Sequence, residues 1–250
     1  MCASLAVSRE HVPPKSLFPE RKDFPGVDFR QQLITVPSCE VHNMAKSHDD
    51  EFLMVCLAGV VGNNSIGYQH NLGKVSRAVR RSASRLLQKV IIKQQRVFRV
   101  ELGDNEFADV IWGTPDIARL QTCFDRVARG LYFQDFARRF DGDVHVHLGF
   151  LHHEKGNAKT MGEFLRERLE LDMKDMPKLG SNPEVFTYQR SQADPYGLFA
   201  YRLRFYGSLE VQIGMWPSGT TASRENLVQL SINGGMKTVI SLDGTSFEFN

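Results

Sequence analysis

Long hydrophobic runs and cysteine-rich patterns are missing from this sequence of 250 residues. No stretch of about 18 consecutive apolar residues occurs, so we expect neither a transmembrane helix nor a membrane partner. The first residues lack a basic segment followed by an apolar core, so no secretory signal is expected. Four scattered cysteines, Cys2, Cys39, Cys56 and Cys123, do not resemble a disulfide framework. These absences predict a reduced, cytoplasmic protein.

An excess of charge of one sign is also missing. The formal net charge is only +2, so any argument for nucleic-acid binding must rest on local clusters of charge. The chain has no internal repeat and no low-complexity tract. With 42% hydrophobic and 24% charged residues it has the composition of a globular protein, and its function must be sought in short motifs.

The first such motif is "SREHVPPKSLF", residues 8 to 18. Pro13 and Pro14 prevent a helix from continuing past Glu10 and His11, so this pair is expected at a strand end or turn. There, both side chains would be held near one point. A neutral imidazole can take a proton from water, and a neighbouring carboxylate can hold a hard cation.

The second motif is "SCEVHNMAKS", residues 38 to 47. Ser38 is predicted to cap a helix that begins near Cys39. Helical spacing then places Cys39 and His42 on one face, and Asn43 on another, where its carbonyl oxygen can reach a cation. Lys46 follows one turn later, and "SHDDE" (47 to 51) is interpreted as a solvated acidic cap.

Taken together, the two motifs resemble the HNH endonuclease family, whose site is a ββα-metal module. The resemblance covers about the first 55 residues. It implies that His11 is the general base of phosphodiester hydrolysis. It also implies that Glu10 and Asn43 hold a catalytic Mg²⁺ or Mn²⁺ ion and that Lys46 contacts phosphate. Cys2, Cys39 and His42 would hold a structural zinc ion, and Gln31 and Gln32 lie near the expected place of the family's middle Asn.

A basic helix is predicted after a glycine- and asparagine-rich segment, residues 59 to 73, which we interpret as a loop or hinge. The helix is expected over residues 74 to 93, because its apolar positions follow helical spacing. Cations recur along one face at steps of three or four residues: Lys74, Arg77, Arg81, Arg85 and Lys89, with Arg80 beside them. The stripe is either a solvated face beside acidic neighbours or a surface that contacts nucleic-acid phosphates.

The rest of the chain is expected to form an α+β domain with a mainly antiparallel sheet. Strands are predicted over residues 96–102 and 143–151, a hairpin over 199–216 with its turn at Gly207 and Ser208, and further strands over 226–232 and 237–242 that close the sheet. One helix is predicted to start with Thr114 as its cap and Pro115 at its first position, and to stop near Gly130. A second helix is expected over residues 159–172.

The strand 143–151 suggests a different enzyme class. His145 and His147 project from one face of it, as in some metal-dependent hydrolases, although a polar outer face of a half-buried strand explains the same pattern.

We therefore predict an HNH-like module (1–58), a glycine-rich hinge with a basic helix (59–95), and an α+β domain (96–250). The predicted function is a DNA endonuclease. The alternatives are a non-catalytic HNH-fold module that binds nucleic acid or a partner, and a hydrolase that uses His145 and His147. The C-terminal domain is a candidate for homo-oligomer formation.

Overall fold

The computed structural model describes residues 7–82, 85–103, 106–151, 156–220, 232, 235–242 and 245–249. The fold is α+β, as predicted. Its α-helices in the described ranges are α1 (Glu40–Ala58), α2 (Ser65–His70), α3 (Ser76–Arg81), α4 (Arg85–Val90), α5 (Ile117–Phe136) and α6 (Asn157–Asp172). None of these helices is long and apolar enough to cross a membrane.

The strands form four sheets within the described ranges. Three sheets are antiparallel pairs: β1 (Ser8–His11) with β2 (Thr35–Ser38), β3 (Ile91–Gly103) with β4 (Glu106–Pro115), and β10 (Thr238–Leu242) with β11 (Thr245–Phe249). The fourth sheet has five strands in the order β5-β9-β8-β7-β6, namely β5 (Gly142–His147), β9 (Leu209–Pro217), β8 (Phe199–Phe205), β7 (Phe186–Arg190) and β6 (Leu179–Asn182).

Two compact units make up the chain. Unit 1 comprises Met1–Phe140, Leu179–Thr187 and Arg204–Leu209, and unit 2 comprises Asp141–Lys178, Tyr188–Leu203 and Glu210–Asn250. The predicted division at residues 58 and 95 stays a prediction.

The core of unit 1 forms around α1 and α5. Large side chains of both helices are fully buried, and the ring of Phe124 lies 5.9 Å from that of Phe205. The predicted bounds of α5 were wrong at both ends. Thr114 and Pro115 end β4, and the helix is capped instead by Asp116, whose carboxylate accepts from the Arg119 N–H at 3.0 Å. At the other end, α5 continues to Phe136 and stops at Ala137, which has a left-handed backbone (φ 53°).

Gly130 lies inside α5 because the helix approaches its neighbour closely there, and it does not cap the helix. A Cβ atom on Gly130 would lie 2.7 Å from Cγ2 of Val12. Glycine is the residue that permits so close an approach.

The segment predicted as a hinge is largely helical. Asn64 caps α2 by accepting from the Gly67 N–H at 3.0 Å, and a π-helical turn over Asn71–Val75 connects α2 to α3. The predicted helix over 74–93 is interrupted after Arg81, resumes at Arg85 and ends at Val90, because β3 begins at Ile91. Gly73 marks a close approach to another residue and does not form a hinge, since a Cβ atom there would lie 3.1 Å from the Asp23 carboxylate.

In the C-terminal half, β5, α6 and the β8–β9 hairpin confirm the predicted strand, helix and hairpin, although β5 ends at His147 and not at residue 151. The predicted strand over 237–242 also forms, but it pairs with β11 in a separate sheet, so the prediction that it closes the larger sheet was wrong. Most of the predicted strand over 226–232 lies outside the described residues.

Candidate functional site

The β1–β2 hairpin places Glu10 and His11 at the end of β1, as the proline pattern predicts. Glu10 is paired with Val36 and His11 with Thr35. Side chains alternate between the two faces of a strand, and directly paired residues share a face. Glu10 therefore shares one face with Ser38, whereas His11 projects from the opposite face. The register alone does not bring the two side chains to one point, and the expectation that they are held there stays a prediction.

Glu10 is linked to the start of α1 through Ser38. The Ser38 hydroxyl is buried and donates to Glu10 Oε2 at 3.4 Å. The prediction that Ser38 caps α1 was wrong, because Cys39 occupies the N-cap position and makes no capping bond with its side chain. The Ser38 contact brings the Glu10 carboxylate toward a helix N-terminus, where backbone N–H groups favour negative charge.

The other residues of the predicted metal sites are placed only by their backbone or lie outside the description. His42, Asn43 and Lys46 belong to the first turns of α1, but their side chains are not among those described, and Cys2 precedes the described ranges. Cys39 is buried. Among the side chains that the structure does describe, no three His, Cys, Asp or Glu residues converge as a metal site. The zinc set and the Glu10–Asn43 ion site stay predictions.

Gln31 and Gln32 lie in the turn before β2, and both use their backbone carbonyls. The Gln31 carbonyl accepts from the Asn182 side chain at 3.1 Å, and the Gln32 carbonyl accepts from the Ser181 hydroxyl at 2.7 Å. Gln32 has a positive φ of 51°. Their predicted role as a substitute for the middle Asn stays a prediction.

Two arginines of α5 hold the middle of α1 through Asp49. Arg119 Nε donates to Asp49 Oδ1 at 2.9 Å, and Arg126 donates to Asp49 Oδ2 at 2.5 Å. Burial alone would raise the pKa of Asp49, but the hydrogen bonds from the two arginines outweigh it and hold the pKa below its ordinary value. Asp49 was interpreted from the sequence as part of a solvated cap. Its partners lie 70 and 77 residues away, and no local pattern signals them.

The segment after β1 is fixed through Ser16. Its hydroxyl donates to the Asp50 carbonyl of α1 at 2.9 Å. Its own carbonyl accepts from His70 Nε2 and from Lys74 Nζ, each at 3.2 Å. Burial, followed by the charge of Lys74, lowers the pKa of His70 to about 4. The chain just beyond His11 is therefore tied both to α1 and to the helical segment that follows it.

The predicted basic stripe divides into two groups. Lys74 is partly buried, and burial, followed by the nearby Arg30, lowers the pKa of its ammonium group to about 8. Arg77 forms ion pairs with Asp23 at 2.7 Å and with Glu20 at 3.3 Å. By contrast, Arg81 and Arg85 are exposed, and so is Arg80. The Lys89 side chain is not among those described.

His145 and His147 lie on one face of β5, opposite Gly214 and Gln212 of β9. The exposed His145 ring packs 4.6 Å from the Trp216 ring, and Gly162 of α6 lies against His147. This face is therefore exposed at His145 and half-buried at His147, and its interpretation as a polar outer face stays a prediction. A hydrolase site here stays an untested alternative.

Comparisons with protein-family models, with curated proteins and with solved structures found no match to this chain. The function of the chain must therefore be inferred from its own residues and from the geometry of the hairpin and α1.

Proposed function

We propose that this chain is a metal-dependent endonuclease that hydrolyses DNA phosphodiester bonds, with His11 as the general base. The observation that carries the proposal is the order of elements around the two motifs. The β1–β2 hairpin leads into α1 through the single residue Cys39, and the Ser38 hydroxyl ties Glu10 to that junction. This is the strand–strand–helix order of the family that the motifs resemble.

The donor set suits a hard divalent cation. The Glu10 carboxylate and the Asn43 side-chain carbonyl would hold Mg²⁺ or Mn²⁺, which prefer oxygen ligands. When bound, such an ion stabilises the negative charge that develops on the phosphate and on the leaving oxygen. The His11 imidazole, when neutral, accepts a proton from the attacking water.

Binding of DNA would use three exposed arginines of α3 and α4, together with Lys46. Arg80, Arg81 and Arg85 supply a positive surface of the kind that neutralises backbone phosphates, and Lys46 follows Asn43 by one helical turn. Arg77 and Lys74 contribute less in this proposal, because both already have partners within unit 1.

The test is nicking of supercoiled plasmid by the purified full chain in Mg²⁺ or Mn²⁺, with EDTA as the metal-free control. Loss of a general base lowers the rate by about 10²- to 10⁴-fold, and we expect this loss for His11→Ala. His48→Ala is the matched control, because His48 is an exposed histidine of α1 with no part in the proposed chemistry. Equal nicking by wild type and His11→Ala would refute the proposal.

The register of the hairpin favours one second candidate, a non-catalytic DNA-binding module. Glu10 and His11 project from opposite faces of β1, which does not gather a base and a metal ligand at one point. This candidate predicts metal-independent DNA binding and only background nicking by wild type and His11→Ala alike. Elemental analysis tests the associated zinc site, and less than about 0.2 zinc ions per chain would exclude a filled structural site.

A further inference from the structure

Arg9 stands out on the face of the β1–β2 hairpin from which His11 projects. Its side chain is exposed, yet two contacts hold it in place. Arg9 Nε donates to Thr35 Oγ1 at 2.9 Å, and its NH2 group donates to the Thr35 carbonyl at 3.0 Å. Both acceptors are neutral oxygen atoms, so these contacts orient the guanidinium without neutralising its charge.

The contact with Thr35 directs the Arg9 side chain toward His11. In the strand register Arg9 pairs with Pro37, whereas Thr35 pairs with His11. The Arg9 side chain therefore leans diagonally along the hairpin, toward the residue that lies opposite His11. The two backbone positions are about 7 Å apart along the strand, from a rise of about 3.4 Å per residue, and the lean carries the charge closer to His11.

We propose that Arg9 binds the backbone phosphate of the DNA strand on which His11 acts, and that Thr35 positions it. This inference rests on the proposed nuclease function. A guanidinium has five N–H donors, of which Thr35 engages two, so three remain for phosphate oxygens. Because the side chain is already ordered, binding of the phosphate costs less conformational entropy than it would for a free arginine.

A contribution to stability alone does not account for this arrangement. Exposed contacts of this kind contribute little to stability, and the Thr35 oxygens, which are neutral, do not require a charged donor. A cation beside the base has a clear use in phosphodiester hydrolysis, since the substrate brings negative charge to that point.

The experiment measures binding of a labelled 30-base-pair DNA duplex to the full chain in EDTA, from about 50 to 250 mM salt, together with plasmid nicking in Mg²⁺. The binding constant K falls as salt rises, and loss of one phosphate contact makes the plot of log K against log salt less steep by about 0.9. We expect this change for Arg9→Gln. Arg21→Gln is the matched control, an exposed arginine of unit 1 with the same change of charge. Arg9→Lys is expected to restore the salt slope but not full nicking, because lysine keeps the charge and loses the fork that Thr35 orients.

The outcomes separate this inference from the nuclease proposal. If Arg9→Gln matches Arg21→Gln in salt slope and in nicking, while His11→Ala abolishes nicking, the role of Arg9 is overturned and the nuclease stands. If His11→Ala nicks like the wild type while Arg9→Gln has the lower slope, the nuclease proposal falls and the phosphate contact stands.

Discussion

The close contact between Gly130 and Val12 offers a sharp test of how α5 supports the candidate site. Val12 follows His11 in the chain and is 3% exposed. A Cβ atom on Gly130 would lie 2.7 Å from Val12 Cγ2 and 2.9 Å from Cγ1. Both methyl groups belong to a β-branched side chain with few rotamers, so Val12 cannot turn away easily.

Two opposing effects determine the result for Gly130→Ala. Overpacking costs about 1–3 kcal/mol, and replacing glycine within a helix returns about 1 kcal/mol. We therefore expect a net loss of about 0–2 kcal/mol in the free energy of unfolding. Val12→Ala alone removes two buried methyl groups at about 0.8 kcal/mol each, with a cavity cost in addition.

The double variant isolates the contact. Without the Val12 methyl groups the clash is gone, so Gly130→Ala should then be neutral or stabilise the protein by up to about 1 kcal/mol. Urea denaturation of the four proteins, followed by circular dichroism, gives the coupling energy, for which we expect about 1–3 kcal/mol. A Gly130→Ala change that costs the same with valine or alanine at position 12 would refute the reasoning. Plasmid nicking by Gly130→Ala should also fall at a temperature where the variant is folded, because Val12 adjoins His11.

Two further predictions concern charge in unit 1. Asp49→Asn should lower the free energy of unfolding by about 1–3 kcal/mol at neutral pH, because it removes the carboxylate that pairs with two arginines. The fold lowers the pKa of Asp49, so the stability that its carboxylate contributes is present above the unfolded pKa of about 4 and is lost as the pH falls further. In urea denaturation, the free energies of unfolding of the wild type and of Asp49→Asn should therefore converge below about pH 4. His70 has a pKa of about 4 in the fold, whereas its ordinary pKa is about 6.5. Between these two pH values only the unfolded chain takes up the proton. The free energy of unfolding of the wild type should therefore fall by up to about 3 kcal/mol as the pH is lowered from about 6.5 to about 4. His70→Gln, which keeps a donor for the Ser16 carbonyl, should lack most of this slope, and an unchanged slope in the same titration would contradict the assignment.

Local patterns predicted most of the regular elements, and distant contacts account for most of the errors. Alternating apolar residues indicated the β8–β9 hairpin, and helical spacing indicated α6, because both elements are defined by their own periodicity. Gly130 was interpreted as a helix stop because the sequence does not show Val12 approaching from more than a hundred residues away. Thr114 was predicted as the cap because it precedes Pro115, and the sequence does not show that β4 pairs with β3 through both residues, which leaves Asp116 to cap the helix.

The same limit applies to the candidate site. The order strand end, proline turn and helix follows from residues close together in the chain, so the end of β1 and the start of α1 were within reach of the sequence, whereas the pairing of β1 with β2 was not. The Asp49 pairs, the Ser16 contacts and the lean of Arg9 toward Thr35 depend on packing and register. Residue types alone do not specify these.

Unit 1 is built from stretches that are far apart in the chain, so its core cannot be completed until late in synthesis. Tyr206 is fully buried and donates its hydroxyl to the Leu17 carbonyl at 2.7 Å, and these two residues are 189 positions apart. At about 5–20 residues per second, a ribosome needs roughly 10–40 s to pass from one to the other. During that time the Leu17 carbonyl lacks its partner, and once α5 has been made the ring of Phe124 lacks Phe205, so this part of the core is open to aggregation or to capture by a chaperone.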